Sequence, residues 1–575
     1  MRRINKYIGY AIITVLVAAV AACNKFLEIE PKNFITDDAV WASPASADLF
    51  LNDIYNQLPS MNSETQHLDQ FTDNSDVGVL WMRGYSNIAT AQLTPTNYPD
   101  VPWKMWHWEE SYKRIRRCNL FIKKVSESSL SDDYKTRRLA EARFLRALFY
   151  HWLWMAHGGV PIIVEPLDNL SMGDAIYKER STARETFLFI DKELEEIAPL
   201  LPLTVAAADY GRPTRGAALT LKGWCELFEA SALRNPLQDA ERWRLAAKTN
   251  LEVINLGVYG LVDDFSALFL EENNNSIESI FAMQYGPKKG SSIEGRQGPV
   301  MNGKGAQVSW GNFQPTQDLV DEFSMANGKA ISEPGSGYDP EHPYIGREKR
   351  FYQTILYDGA PWRDFTIETR LGGNNEIDLG YAGDRTHTGY YARKRLNESK
   401  DPSGYFSDVS FQNYMFFRYA EVLLSFAEAE NEVNGPTAEV LEAVNQVRTR
   451  GNNLPTVEAS YGTVNKDEMR EIIRRERRVE LCFEDKRWWD VLRWKIADVL
   501  ADGSPGVLNR PQKGMVITED ANGGLSYQVT EIRNRIFLPK MYHMPVPQQV
   551  IDQNPAIAKQ NGGEDNWKSG QNQGY

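Results

Sequence analysis

The chain has 575 residues, of which 42% are hydrophobic and 25% are charged. This balance is typical of a folded globular protein, and it excludes a disordered or fibrous chain. The formal net charge of −13 argues against nucleic acid as a partner, because phosphate backbones attract basic surfaces.

The first 23 residues have the order of a bacterial export signal. Positive charges at Arg2, Arg3 and Lys6 precede the apolar stretch YIGYAIITVLVAAVAA. A spanning helix needs about 20 apolar residues, so this shorter stretch predicts a signal peptide over 1–22. Its small residues run directly into Cys23, as in a bacterial lipobox, which predicts cleavage and lipid attachment at that thiol. An ordinary secretory signal with an incidental cysteine is the alternative.

Helical periodicity predicts a first block of helices in the N-terminal half of the chain. The predicted helices span 103–125, 134–157, 183–201, 214–233 and 239–256. The stretch from 281 to 411 is rich in Gly, Asn, Tyr and Pro and holds no long period. Such a stretch predicts loops and short strands laid over a scaffold.

A second helical block follows, with predicted helices in 416–435, 438–451 and 466–498. Small residues such as Ala427 and Ala429 suit close helix contacts, and the paired helices suggest tetratricopeptide-like hairpins. The stretch from about 501 to 575 is predicted to be rich in loops. The fold class is therefore mainly α.

Three cysteines, Cys118, Cys225 and Cys482, fall inside helical patterns and are predicted to be buried free thiols. No CxxC pair is present, so a zinc site of ordinary spacing is not expected. The segment NNNSIES offers oxygen ligands but lacks the spacing of a calcium-binding EF-hand loop. We predict neither a bound metal nor a cofactor.

Carboxylates at Glu476, Glu480 and Glu484 stand four positions apart in one predicted helix. Di-iron bundles use such carboxylates together with Glu-x-x-His pairs, and this segment has no histidine. Arginines nearby, such as Arg477 and Arg487, lie at distances of three and four positions from acids. We therefore predict a structural network of ion pairs.

Several stretches of the chain resemble the SusD/RagB-like family of Bacteroidetes outer-membrane lipoproteins. In chain order they are FLEIEPKNFITDDAVWASPASADLFLNDIY, EARFLRALFYHWLWMAHGGVPII, RPTRGAALTLKGWCELFEA, FRYAEVLLSFAEAENEV, VNQVRTR, RRERRVELCFEDKRWWDVLRW and PVPQQVIDQNP. The ending QNGGEDNWKSGQNQGY extends or disrupts the short QN-x-GY ending usual in the family. The resemblance covers nearly the whole of 23–575, which we divide into 23–280, a loop-rich insertion over 281–411, and 412–575.

The resemblance implies a fold and a role. The fold would have about four tetratricopeptide-like units that support an irregular ligand-binding region. The protein would be lipid-anchored at the outer membrane, facing the exterior, with a SusC-like TonB-dependent transporter as its partner. Its ligand would be an oligosaccharide or polysaccharide, or sometimes a peptide, which it would deliver without cleaving it.

Two loop regions combine flat aromatic rings, which stack on sugar rings, with polar groups that bond hydroxyls. The family builds its ligand platform in roughly these two places. The candidates are Asp73, Asn74, Trp81, Arg83 and Tyr85 in the first region, and Asn302, Trp310 and Phe313 in the second. Tyr391, in TGYYARKRLNE, is a further candidate, although a structural role is favoured for that stretch because aromatic-rich strands are usually core.

Two other functions remain open at this level. A surface glycoside hydrolase would need two carboxylates roughly 5–10 Å apart across a cleft, and nothing in the sequence singles out such a pair. No GxSxG, HExxH or P-loop motif is present. The second alternative is a structural lid of the transporter without a ligand of its own. We predict a binding protein and not an enzyme.

Overall fold

The computed structural model of the chain describes residues 40–59, 67–78, 84–98, 106–300, 309–380, 385–400 and 410–575. The predicted leader and Cys23 lie outside these ranges. Within them, no helix is both long enough and apolar enough to cross a bilayer.

The described residues form 18 α-helices. They are α1 Pro44–Asn56, α2 Tyr85–Ala89, α3 Trp108–Glu127, α4 Asp132–His157, α5 Asn169–Met172, α6 Ala183–Ile197, α7 Arg215–Ala230, α8 Ala240–Asn255, α9 Ile293–Gln297, α10 Gln317–Glu322, α11 Lys349–Thr354, α12 Tyr419–Asn434, α13 Ala438–Thr449, α14 Val457–Tyr461, α15 Lys466–Leu481, α16 Arg487–Arg493, α17 Gln548–Gln553 and α18 Pro555–Ala558.

The strands in these ranges are short and antiparallel, and they pair two by two. The pairs are β1 Ser75–Val77 with β3 Phe313–Pro315, β2 Ser279–Met283 with β8 Tyr414–Arg418, β4 Ile355–Leu356 with β7 Tyr391–Ala392, β5 Pro361–Trp362 with β6 Phe365–Thr366, and β9 Gln512–Glu519 with β10 Leu525–Arg533. The fold is therefore mainly α, as predicted.

The long helices pack in a row. The order of contact is α1, α3, α4, α6, α7, α8 and α12, and α12 also packs against α13 and α15. One large apolar core runs through all of them. This arrangement, in which each helix packs mainly on its neighbours, is the one expected for stacked helical hairpins. Ala427 and Ala429 of α12 are fully buried, as are Cys118 and Cys225; Cys482 is 1% exposed, and these three thiols are free.

Local sequence signals explain where these helices begin and end. Thr182 caps α6 and exchanges hydrogen bonds with Glu185, and Asn465 and Glu468 do the same for α15. Such capping boxes satisfy backbone N–H groups that have no partner within the helix. At the other end of α4, Gly158 has a φ of +77° and stops the helix.

The structure corrects two boundaries in the second helical block. The residues predicted to open its first helix, Phe416–Arg418, belong to β8, and α12 begins only at Tyr419. The predicted helix over 466–498 is broken after Leu481. Phe483 and Asp485 have φ angles of +62° and +61°, which an α-helix cannot contain. The sequence pattern shows no proline or glycine at this break.

The stretch from 501 to 575 is more ordered than the loops predicted for it. It contains the longest strand pair in the described chain, β9 with β10. Farther on, the segment from 560 to 572 packs against residues of the N-terminal half of the chain. Arg180 donates hydrogen bonds to the Gly570 carbonyl and to Asn572 Oδ1, and its guanidinium stacks over the Trp567 ring at 4.5 Å.

Candidate functional site

One short ladder brings the two predicted loop regions together. In it, Val77 lies opposite Phe313 and Ser75 lies opposite Pro315. The pairing continues one step further, where the Gly78 N–H donates to the Asn312 carbonyl at 3.2 Å. Regions separated by more than 200 positions in the sequence therefore leave the same end of one ladder.

Glycine allows the two backbones to approach closely at this end. A Cβ on Gly78 would stand 2.5 Å from the Gly311 carbonyl oxygen, which is closer than real contacts allow. Gly311 itself has a φ of +56°, and a Cβ there would lie 2.7 Å from the Tyr391 ring. Side chains at these positions would separate the ladder from the aromatic ring beneath it.

Buried charges hold the first region in place. Arg487 forms two hydrogen bonds with the Asp73 carboxylate, at 2.9 and 2.8 Å, and Arg478 reaches it at 3.0 Å. Burial alone would raise the pKa of Asp73, but the two guanidiniums lower it well below its usual range. Asn74 donates to Asp69 and accepts from Arg478. Both predicted ligand residues are thus engaged within the protein.

Three of the predicted aromatic residues are also interior. Tyr85, Phe313 and Tyr391 are at most 3% exposed. The Tyr85 hydroxyl donates to Asp76 at 2.8 Å, and the Phe313 ring packs on Phe483 at 5.1 Å. The Tyr391 hydroxyl accepts from the Thr386 N–H.

Five of the predicted ligand residues are thus buried and make contacts within the protein, and their contact with a ligand stays a prediction. They are Asp73, Asn74, Tyr85, Phe313 and Tyr391.

Trp310 is placed differently from those five residues. It is partly exposed, and it stands three positions before β3, at the end of the ladder where the two regions meet. Its backbone N–H donates to the Gly295 carbonyl at 2.9 Å, which fixes the main chain beside the ring. Trp81, Arg83 and Asn302 lie outside the described residues, and their contact with a ligand stays a prediction.

The structure adds Arg385 to this neighbourhood. One amide nitrogen, Gln314 Nε2, donates to both the Gly311 carbonyl and the Arg385 carbonyl, at 3.0 and 3.2 Å. The Arg385 guanidinium is 39% exposed and pairs with Glu376 at 3.1 Å. Sequence reasoning missed this residue because Gln314 lies 71 positions away and no motif marks the contact.

A dense ion-pair network surrounds Glu476, Glu480 and Glu484, as predicted for these acids. Five carboxylates and five cations take part, with N···O distances from 2.6 to 3.4 Å; they are Glu278, Glu348, Glu476, Glu480, Glu484, Arg350, Lys394, Arg418, Arg448 and Arg450. Each of these side chains is at most 5% exposed. The equal numbers explain how so much charge can be buried.

The ion-pair partners in and around this network differ from the predicted ones. Arg477 pairs with Asp490, and Arg487 pairs with Asp73, instead of with acids of their own helix. Glu480 is held by arginines from other segments, Arg418 and Arg450, each at 2.7 Å. Helical spacing alone could not reveal these contacts, because they depend on how distant segments pack.

Comparison with known proteins agrees with this architecture. A model described as "SusD family" matches residues 277–567, and one described as "Starch-binding associating with outer membrane" matches residues 25–222. The chain is 26% identical over 500 residues to SusD-like protein P38 of Formosa agariphila, covering 84% of this chain and 90% of that protein.

Two solved structures from Bacteroides fragilis share the fold. A SusD-like protein has a TM-score of 0.76 at 26% identity, covering 94% of this chain and 99% of the other. A SusD-like carbohydrate-binding protein has a TM-score of 0.73 at 26% identity, with coverages of 90% and 99%. The same arrangement of stacked helices and loops is therefore found in solved structures. The chain belongs to the SusD family.

Proposed function

We propose that this protein binds a glycan on the face formed where β1 and β3 end, and that Trp310 provides a stacking surface there. The observation that carries the proposal is the ladder itself, which joins two loop regions beside a partly exposed tryptophan. Sugar rings present apolar C–H faces that stack on indole, while charged and amide groups bond their hydroxyls. Arg385 and Glu376 are such groups.

Family membership and the carbohydrate-binding relative support a glycan as the ligand class. The proposed ligand is an oligosaccharide or polysaccharide, which the protein retains without cleaving it. No group of three or more His, Cys, Asp or Glu side chains within the described ranges is arranged to hold a metal ion. The proposal assigns no catalytic step to any residue.

Trp310→Ala tests the site directly. The variant should lose about fivefold or more in glycan affinity, because a stacked aromatic ring contributes roughly 1–3 kcal/mol. Affinity gel electrophoresis of the protein without its leader, against a polysaccharide panel, would measure the loss. Tyr210→Ala is the matched control, since Tyr210 is 47% exposed and distant in sequence from the ladder.

The same panel separates the alternatives. Equal retardation of Trp310→Ala and the unaltered protein would refute the placement of the site. Chromatography of the incubated glycans would detect products, and their release would replace the binding function with a hydrolase. If no glycan is retained by the unaltered protein, a peptide ligand or a structural lid becomes the better interpretation.

Delivery to a SusC-like transporter and anchoring through Cys23 form the second part of the proposal. Acyl chains on Cys23 would hold the protein at the outer membrane, with its loop-bearing face toward the transporter. Purification of the tagged protein from solubilised membranes should recover a large TonB-dependent barrel protein. Cys23→Ser should remain unacylated in cells fed labelled fatty acid, whereas a labelled variant would show that the anchor lies elsewhere.

A further inference from the structure

The outer edge of β10 has no strand beside it in the described part of the chain. β10 pairs with β9 alone, and more than half of its residues are exposed to solvent. Val529, at its centre, is 51% exposed. An unpaired strand edge presents backbone N–H and C=O groups in a row, which makes it a template for pairing with another strand.

The far edge of the same hairpin, on β9, is already engaged. The Ile517 carbonyl accepts from the Leu371 N–H at 2.9 Å, and the Met515 N–H donates to the Thr388 carbonyl at 2.8 Å. Both backbone groups of a strand residue point to the same side of the strand. Ile517 and Met515 therefore point away from β10.

The register of the hairpin then shows which groups of β10 face outward. Tyr527 and Val529 lie opposite Ile517 and Met515, and opposite residues that make no hydrogen bonds to each other both point away from the ladder. Alternation along the strand gives Leu525 and Glu531 the same direction. Within the described ranges, no hydrogen bond reaches the outward backbone groups of Leu525, Tyr527, Val529 or Glu531.

β10 also lacks the features that usually protect an edge strand. Proline, lysine or a bulge commonly blocks the addition of another strand. The sequence of β10, LSYQVTEIR, contains neither proline nor lysine. Its bulge lies between Glu531 and Arg533, after the last of the four outward residues. The edge is thus open from Leu525 to Glu531.

The sequence of this open stretch is complementary to itself in an antiparallel pair centred on Gln528. In that register every outward residue of one copy lies opposite an outward residue of the other. The opposite pairs are Leu525 with Glu531, Ser526 with Thr530, Tyr527 with Val529, and Gln528 with Gln528. Aromatic side chains beside β-branched ones, and hydroxyls beside hydroxyls, are favourable cross-strand pairs.

Charge selects the same register. Glu531 is the one charged residue between 525 and 531, and in the pair centred on Gln528 it faces a leucine. A pair centred on Glu531 would instead place two carboxylates opposite each other, which is unfavourable. A pair centred on Val529 would leave Leu525 opposite Arg533, beyond the bulge.

We propose that the outer edge of β10 docks a second copy of this chain, and that the two β10 strands pair antiparallel about Gln528. The two hairpins would then form one continuous four-stranded sheet, with the exposed Val529 side chain beside the Tyr527 ring of the second copy. Anchoring of both copies to one membrane, as proposed above for Cys23, would raise their effective concentration and favour the pairing. The strand pairing itself depends neither on the anchor nor on glycan binding.

A cysteine at the centre of the pair tests the register. In Gln528→Cys the two Cα atoms would lie about 4.5 Å apart, a distance that a disulfide can span. The protein starting after residue 23 should therefore form a covalent dimer under mild oxidation, seen on a non-reducing gel. The native thiols Cys118, Cys225 and Cys482 are buried and do not compete.

Ser526→Cys is the matched control for this cross-link. Ser526 is exposed and lies on the same face of β10, but its equivalent in the second copy would be about 14 Å away along the strand. Little cross-linking is therefore expected. Equal cross-linking of the two variants, or none in Gln528→Cys, would refute the proposed pairing.

Val529→Pro tests the edge without a cross-link. The Val529 N–H points away from β9, so proline removes no hydrogen bond of the hairpin and is tolerated on that side. The thermal midpoint should stay unchanged, while association weakens by about tenfold or more, because each dimer loses two hydrogen bonds. Val529→Thr keeps the N–H and the branched side chain, and should associate as the unaltered protein does.

Sedimentation equilibrium over a wide range of protein concentrations measures this association. The average mass of the unaltered protein should rise toward that of a dimer as the concentration increases. A mass that stays monomeric at every concentration would overturn the proposal. Equal association of Val529→Pro and the unaltered protein would also overturn it, because the contact between copies would then lie elsewhere.

Discussion

The carboxylates whose spacing in the sequence resembles that of a di-iron site form ion pairs that join distant segments of this protein. Glu480 is the clearest case, because it is fully buried and contacts arginines from three separate elements. Burial alone would raise its pKa, but Arg450, Arg418 and Arg350 lower it well below the ordinary range. A carboxylate held ionised in this way is a poor proton donor at neutral pH.

Replacement of Glu480 by Gln should destabilise the fold by about 3 kcal/mol or more, because three buried guanidiniums would lose a shared counter-charge. Urea unfolding followed by tryptophan fluorescence would measure the change. Glu471→Gln serves as the control: Glu471 is 66% exposed and pairs with Arg474 on the same helix, so its loss should cost under about 0.5 kcal/mol. Equal stabilities for the two variants would contradict this assignment.

The chemical character of these residues could be predicted from the sequence, but their partners could not. The absence of histidine near Glu476 already excluded the familiar di-iron pattern. The partner Arg350, however, lies 126 positions from Glu476, and Glu278 lies 140 positions from Arg418. Such pairs are set by the packing of whole segments, whereas helical spacing informs only on neighbours three or four positions apart.

At the scale of elements, the position of the candidate site is set by the pairing of β1 with β3, which involves three residues on each strand. The β1–β3 ladder fixes the register of both loop regions, and Gly78 allows its end to close. Arg535 donates hydrogen bonds to the carbonyls of Gln70 and Ser75, which help to fix the position of β1. The geometry of the proposed glycan face therefore depends on contacts within the protein as well as on the side chains proposed to bind.

Gly78→Ala should weaken glycan binding although it removes no proposed ligand contact. The added methyl would meet the Gly311 carbonyl at 2.5 Å and push the strands apart, at a cost of about 1–3 kcal/mol in stability. Affinity gels and urea unfolding would report both effects. Gly286→Ala is the matched control, because nothing lies within 4 Å of its added Cβ. Unchanged glycan affinity in Gly78→Ala would show that the ladder does not position the site.

The long helices could be predicted because their signals lie in neighbouring residues. The β1–β3 ladder could not, because it pairs strands that are far apart in the sequence. The amphipathic period of α6 and the N-terminal caps of α4 and α6 lie within or directly beside the helices themselves. By contrast, β1 and β3 have only three residues each, too few for an alternating pattern to stand out. The family resemblance pointed to both loop regions, but which of their side chains are buried depends on packing that the sequence does not show.

At the scale of the whole molecule, the buried ion-pair network makes the free energy of unfolding depend on pH. Burial would raise the pKa of Glu484, but Arg418 and Lys394 lower it to about 2. An unfolded glutamate titrates near 4.3. Because the folded pKa is the lower one, this group contributes its full stability above about pH 5 and loses that contribution as the pH falls toward 2.

We therefore expect the free energy of unfolding to fall steeply between about pH 4.5 and pH 2, where Asp73 and Glu480 act in the same direction as Glu484. Urea titrations at pH 7, 5, 4 and 3 would measure the slope. A free energy that stays constant from pH 5 to pH 3 would show that these carboxylates are not held ionised in the folded state.

The contact between Arg180 and the segment near Gly570 has a consequence for the order in which the chain folds during synthesis. The two residues are 390 positions apart, and Asn572 is 392 positions from Arg180. A ribosome must complete nearly all of this sequence before the N-terminal helices can acquire that contact. Contacts of such separation form late and slowly. The N-terminal helices therefore stay without this tie to the last part of the chain until synthesis is almost complete.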